Sequence, residues 1–307
     1  MVIGLLSILL AIGGTGCSSK AYFAKINDVP LTVKTLNERQ KKAEKVYTEK
    51  QGTDFAANNG QNREILKKVL VESLVMFEIF KQTIQENKWD ASIPEIQDRV
   101  ALIKSSMGDE YSLALEASGM IEQDFINNLT FQHYVTKDIT VTDEEVKEYF
   151  NAHIDEFSQK EQVQARHILV ATEEEALDII KQLKEGADFA ELAQEKSLDT
   201  GSKFYGGELG IFVYEDMVPE FSKAAFALAE GAISAPVQTQ FGYHIIQTEK
   251  HFAAYTPTFE EAKGDAAQSA LAWAKDQKYY LEYDKAYHKA KIEYAPGYTP
   301  DEDAHNH

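Results

Sequence analysis

The chain holds a single cysteine, Cys17, among its 307 residues. Without a second thiol, an intramolecular disulfide, a thiolate metal site and a cysteine nucleophile in the body of the protein are all excluded. Positive charge is also scarce: 31 Lys and Arg stand against 50 Asp and Glu, a formal net charge of −19 spread along the chain. Such a surface repels phosphate backbones and anionic lipid, so nucleic acid is not an expected partner. The acidity reads first as a solvated surface that keeps the protein soluble, and second as an attraction for basic unfolded chains. A long hydrophobic run is missing as well. The most apolar stretch, Val2 to Ile12, is too short to span a bilayer comfortably. What is present is ordinary for a globular protein, with 44% apolar residues. The length exceeds what one core usually organises, so two structural units are expected.

Met1 to Gly16 carry no charge, and the apolar run is followed by the small residues Gly13, Gly14, Thr15 and Gly16. This pattern suits a signal-peptide core with a processing site over residues 1–16. Cys17, followed by Ser18, Ser19 and Lys20, resembles a bacterial lipobox, in which Cys17 becomes the lipidated first residue of the mature protein. Two positions depart from that pattern: no Lys or Arg precedes the apolar core, and Gly14 stands where Leu is usual.

Ala21 to Thr32 alternates apolar and polar residues around Asn27-Asp28 and is expected to form a short hairpin. Between Glu64 and Ile84 the residues Ile65, Leu66, Val69, Leu70, Leu74, Phe77, Phe80 and Ile84 recur at helical spacing and predict a broad apolar face. Further helices are expected over Ile93 to Met107, Tyr111 to Ala117 and Glu122 to Lys137. A capping-box pattern, Thr142 with Glu145, opens another through Phe150. From Val163 to Val170 the period changes to two, a strand. Helical spacing returns over Glu173 to Lys184 and Phe189 to Lys196, and a glycine-rich loop follows with Gly201, Gly206, Gly207 and Gly210. Val218 to Leu228 reads as a helix, Gly242 to Thr248 as a strand, and the chain beyond Pro257 as helix to about Lys291. The last segment, 293–307, is acidic, ends in His305 and His307, and is expected to be disordered.

Five strings in the centre, ARHILVA (Ala165 to Ala171), GADFAELAQEKSLD (Gly186 to Asp199), GGELGIF (Gly206 to Phe212), MVPEFSKAAFAL (Met217 to Leu228) and GAISAPVQTQFGYHII (Gly231 to Ile246), stand in one order and spacing. Together they resemble the parvulin family of prolyl cis/trans isomerases, and the resemblance covers nearly all of Gln162 to Lys250. With the hairpin start, the helical flanks and the lipobox, the whole chain is similar to PrsA-type foldase lipoproteins, and more distantly to SurA-type chaperones.

The resemblance implies an α+β fold. A parvulin domain (161–254), a small mixed or antiparallel sheet surrounded by helices, would be inserted into a helical chaperone-like domain. That domain would be built from 17–160 and from a C-terminal helix in 255–292 packing on it. It also implies a site. His167 shares a strand face with Ala165 and Leu169, and His244 shares one with Ile246, so the two can face inward as a pair that fixes each other's tautomers. Asp199 matches the position where parvulins carry Cys or Asp beside the substrate carbonyl, although a loop one residue longer leaves Thr200 as the alternative. Leu209, Met217 and Phe221 match the proline slot, Thr239 matches a polar position near the histidines, and Phe241 replaces a hydroxyl found in some relatives.

Rotation about a peptide bond faces a barrier of about 18–20 kcal/mol and needs no covalent step. Apolar side chains and a few directed hydrogen bonds therefore suffice, and neither a cofactor nor a metal is expected. Phosphate-directed parvulins carry a basic cluster after the first strand. Here that stretch is Ala171, Thr172, Glu173, Glu174 and Glu175, whose carboxylates repel a phosphorylated client. The implied function is isomerisation and folding of unfolded exported proteins with X-Pro bonds, on the extracytoplasmic face of a bacterial cell membrane. A holdase whose parvulin unit only binds is the alternative, and a homodimer through the helical domain is compatible with the resemblance.

Overall fold

A computed structural model describes residues 21–51 and 60–299. The expected signal peptide, Cys17 with its expected lipid and the tail beyond Thr299 lie outside the described residues. Among the described residues no helix is long and apolar enough to cross a membrane. The chain divides into two compact units, one formed by the residues up to Thr140 together with those from Ala272, the other by Val141–Leu271.

The first unit begins with the hairpin β1 (Tyr22–Ile26) and β2 (Val29–Thr32). Asn27 and Asp28 both adopt positive φ, 49° and 70°, which the tight two-residue turn requires and which short polar side chains tolerate best. Five helices follow: α1 (Val33–Gln51), α2 (Gln61–Asn87), α3 (Pro94–Met107), α4 (Glu110–Ala117) and α5 (Glu122–Thr136). Helix α2 buries Leu66, Leu70, Leu74 and Phe77 in its core-facing stripe, while Ile65 and Val69 point outward with about half their surface exposed. The buried face is thus displaced from the predicted one, with Val71, Val75 and Ile79 on it in place of Ile65 and Val69. Phe80, fully buried, stacks on Phe131 of α5 at 4.4 Å and meets the edge of Tyr283 at 5.7 Å.

The second unit opens with α6 (Asp143–Ala152) and a short α7 (Ile154–Phe157). Next come β3 (Gln162–Val170), α8 (Glu173–Lys184), α9 (Phe189–Lys196), β4 (Glu208–Val213), α10 (Pro219–Ala227), β5 (Val237–Thr239) and β6 (Gly242–Phe252). The long α11 (Phe259–Lys289) follows, counted with this unit through Leu271. The four strands form one antiparallel sheet in the order β4-β3-β6-β5. Because side chains alternate across the strands, each face has its own core. Ile168, Val170 and Ile245 pack under Ile179, Phe189 and Leu192 of α8 and α9. On the opposite face, Val163, Ala165 and Ile246 meet Phe212 of β4 and Phe221 and Ala225 of α10. The two histidine-bearing strands, β3 and β6, lie side by side at the centre of this sheet.

Two sequence expectations change. The boundaries at 161 and 254 move outward to Val141 and Leu271, because Val146 and Phe150 of α6 pack against Ala262, Ala266 and Ala270 of α11. The C-terminal helix packs on residues of the 17–160 segment along its length, Ala262, Ala266 and Ala270 on Val146 and Phe150, and Tyr279 and Tyr283 on Phe80, although only its part from Ala272 counts with the first unit. The disorder expected from residue 293 is replaced by structure through Thr299: β7 (Ile292–Tyr294) pairs antiparallel with β1, and Tyr298 packs beside Phe23.

The capping box expected at Thr142 forms, and α8 carries a second one at Thr172. At α8, Thr172 Oγ1 accepts from the Glu175 amide at 3.3 Å, while Glu175 accepts from the Thr172 amide at 2.9 Å. Thr172→Ala removes one of these bonds and is expected to lower the stability of the full chain by about 1 kcal/mol in urea titrations.

Candidate active site

His167 on β3 and His244 on β6 lie on the α10 side of the sheet, only 6% and 5% exposed. Their rings are nearly parallel, 5.2 Å between centroids, and Nδ1 faces Nδ1 at 3.0 Å. Asp199 lies in the loop after α9, held to the end of β3 by two bonds: the Leu198 amide donates to Leu169 O at 2.7 Å and the Leu169 amide donates to Ser197 Oγ at 3.1 Å. Its Oδ2 stands 2.9 Å from His167 Nε2. On the far side, Thr239 Oγ1 is 2.8 Å from His244 Nε2. Asp199, not Thr200, is therefore the loop residue whose side chain reaches the histidines.

The acceptor-only carboxylate assigns every proton in this row. His167 donates through Nε2–H to Asp199, so its Nδ1 accepts. His244 then donates through Nδ1–H, and its Nε2 accepts from the Thr239 hydroxyl. Thr239 Oγ1 in turn accepts from the Phe241 amide at 3.1 Å. The row runs in one direction, from Thr239 through both rings to Asp199, with each imidazole neutral.

The electrostatics agree with that assignment. Burial alone would push the Asp199 carboxyl up, but hydrogen bonds from Ser202, His167 and Gly201 outweigh it and hold the group at about 2. Burial lowers the His244 pKa to about 4, and the neighbouring His167 pushes the same way. Burial also lowers that of His167, against the pull of Asp199.

A pH dependence of stability follows. Below 6.5, its ordinary value, His244 binds a proton in the unfolded chain that the folded chain refuses until about pH 4. Its contribution is thus fully present above 6.5 and is lost as pH falls to 4, about 3 kcal/mol in all. His167 acts in the same direction. Asp199 adds stability present above its ordinary 3.8 and lost as pH falls toward 2. Urea titrations of the full chain are expected to fall steeply between pH 6.5 and 4, and His244→Gln to flatten that slope.

Phe221 forms the floor of the site. Its ring meets His167 edge-on at 5.7 Å and 79°, and His244 at 5.2 Å and 82°. Leu209 and Met217, both half-buried, pack in the same apolar cluster as Phe221, which is the member in ring contact with the histidine pair. Phe212 and Phe226, read as core, also belong to this cluster. Phe241 is 61% exposed. Among the described residues no cluster of three His, Cys, Asp or Glu side chains is arranged to hold a metal.

Two serines escaped the sequence reading. Ser197 Oγ accepts from the Asp199 amide at 3.2 Å as well as from Leu169, and Ser202 is buried against both Asp199 and His167. The signal lay in the string SLDTGS: Ser, Asp and Gly at two-residue intervals are the pattern of successive side-chain-to-backbone turns. The Gly201 amide donates to Asp199 Oδ1 at 3.1 Å accordingly.

The family profile described as the PPIC-type PPIASE domain matches residues 141–264. The foldase protein PrsA of Caldanaerobacter subterraneus subsp. tengcongensis is 36% identical over 233 residues, 76% of this chain and 72% of that protein. The foldase protein PrsA of Clostridium botulinum strain Okra is 31% identical over 295 residues, covering 89% and 87% respectively. The crystal structure of PrsA from Bacillus anthracis is 30% identical and covers 70% of this chain and 95% of that one, with a TM-score of 0.31. The isomerase profile lies over the second unit and the foldase relatives extend well beyond it, so the chain belongs to the PrsA foldase family and carries a PPIC-type peptidyl-prolyl isomerase domain.

Proposed function

We propose that the chain catalyses cis/trans isomerisation of X-Pro bonds in exported proteins and so acts as a foldase, without preference for phosphorylated clients. The observation that carries this reading is the one-directional row Thr239–His244–His167–Asp199 lying directly against the Phe221 slot. An amide resists rotation because its planar form places negative charge on oxygen and positive charge on nitrogen. Two features of the site oppose that charge separation. The apolar slot of Leu209, Met217 and Phe221 desolvates the bond when the proline ring enters, and the ionised Asp199 beside it disfavours negative charge on the carbonyl oxygen. Each 1.4 kcal/mol removed from the barrier is about a tenfold gain in rate. No proton needs to leave the row, and His167 and His244 act by orienting and buffering the charge of Asp199. Lipidation of Cys17 would hold this activity at the extracytoplasmic face of the membrane, a reading supported by the small residues before Cys17 and by the family.

The test is a proline-limited refolding reaction with the full chain added in catalytic amounts, together with a peptide series carrying Ala, Glu or phosphoserine before proline. Acceleration of refolding, with the phosphoserine peptide the poorest substrate, is expected. Suppressed aggregation without acceleration would replace isomerisation by holding.

A further inference from the structure

Ser202 has no part in the row of protons or in the apolar slot, yet it is only 4% exposed and touches both ends of the Asp199–His167 contact. Its Oγ donates to Asp199 Oδ2 and lies 3.2 Å from His167 Nε2. The loop is folded so as to bring it there. The Lys203 amide donates to Asp199 O at 3.0 Å, and the Gly207 amide donates to Ser202 O at 3.0 Å, closing a tight turn that points the hydroxyl inward. Asp199, by contrast, has a side chain 30% exposed and borders water. Its Oδ1 is tied to the Gly201 amide, and its Oδ2 is held against His167 only by the imidazole itself and by Ser202. A carboxylate at the edge of solvent exchanges such a bond for water unless a second donor fixes its plane.

We infer that Ser202 is a positioning residue of the site: its hydroxyl holds the Asp199 carboxylate against His167 and thereby fixes the tautomers of both histidines. The inference rests on the isomerase reading above and adds a residue to it. Ser202 touches no substrate and acts only through Asp199. Its removal therefore matters only where Asp199 is present, a behaviour that a purely structural serine would not show.

The experiment is a cycle of Ser202→Ala, Asp199→Ala and the double variant in the full chain, read as kcat/KM on a proline peptide and as imidazole 15N shifts of His167 and His244. Ser202→Ala is expected to lower kcat/KM about tenfold beside Asp199 and less than about twofold in the Asp199→Ala background, the scale of one charge-assisted hydrogen bond. Its 15N shifts are expected to move from pure Nε2–H on His167 and Nδ1–H on His244 toward mixed tautomers. Equal losses in the two backgrounds, or unchanged 15N shifts, overturn the inference. An inactive wild type overturns the isomerase reading instead, and the 15N arm then decides the role of Ser202 by itself. Ser202→Cys, close in size with a weaker donor, carries the same comparison with an intermediate loss if Ser202→Ala does not fold.

Discussion

Gly207→Ala is expected to be among the most damaging single substitutions in the second unit, costing about 3 kcal/mol or more of stability and most of the isomerase activity. Gly207 has φ +80°, and a Cβ placed on it would stand 2.2 Å from His167 O and 3.3 Å from Ala193 Cβ. Both the strand oxygen and the glycine belong to backbone, so neither can swing aside as a side chain would. The same two residues are joined by a hydrogen bond from the His167 amide to Gly207 O at 2.9 Å. Any separation that relieves the clash breaks that bond and carries His167 away from Asp199. Gly231 supplies the control: its φ is also +80°, but a Cβ there meets nothing within 4 Å. Gly231→Ala therefore costs only the local strain of a left-handed alanine, about 1 kcal/mol. Urea titrations of the two variants of the full chain separate strain from close approach, and equal losses would show that the approach to β3 is unimportant.

Asp199→Ala is the second large effect, a fall in kcat/KM of about 10- to 100-fold, the range of one to two hydrogen bonds to a charged group. The substitution removes the acceptor that assigns all the protons in the row, along with the only ionised side chain in it. Asp199→Asn distinguishes these contributions. Its amide oxygen can still accept from His167 Nε2–H, so the tautomers persist while the charge is gone. A loss as large as that of Asp199→Ala would identify the charge as the agent of catalysis, whereas near-wild-type kcat/KM would identify orientation. Because Asp199 stays ionised down to about pH 2, the wild-type rate is expected to be flat from pH 8 to about 5.5 and to fall as His244 takes up a proton near pH 4.

How far the structure was legible in advance depends on the range of the interactions involved. The helices were readable because their signals are local: the capping box at Thr142 and the apolar spacing of α2 decide their own segments. The histidine pair, Asp199, Thr239 and the Phe221 slot were readable because several motifs stand in one order. Strand β4 was read as part of a glycine-rich loop, since Gly207 and Gly210 are turn formers by themselves. What makes it a strand is the open edge of β3 beside it. Strand β7 is three residues long and follows directly on a 31-residue helix, so nothing near it announces a partner at the other end of the chain. The outward turn of Ile65 and Val69 and the split packing of α11 likewise depend on which neighbours compete for each apolar face. Ser202 was overlooked for a different reason. A serine among loop glycines is usually solvated, and only the closed turn around it gives this one a role.

The pairing of β7 with β1 also bears on the order in which the protein can assemble. In the three-stranded sheet β2-β1-β7, the middle strand comes from the start of the described chain and one of its neighbours from near the end. The first unit is thus discontinuous, whereas Val141–Leu271 is a single uninterrupted stretch. A chain that emerges N-terminus first, from a ribosome or through a membrane, presents the whole isomerase unit while the helical unit still lacks α11 beyond Leu271 and its third strand. The isomerase unit can therefore be complete before the rest of its own chain, and β7, which follows it, closes the unit that β1, ahead of it, began.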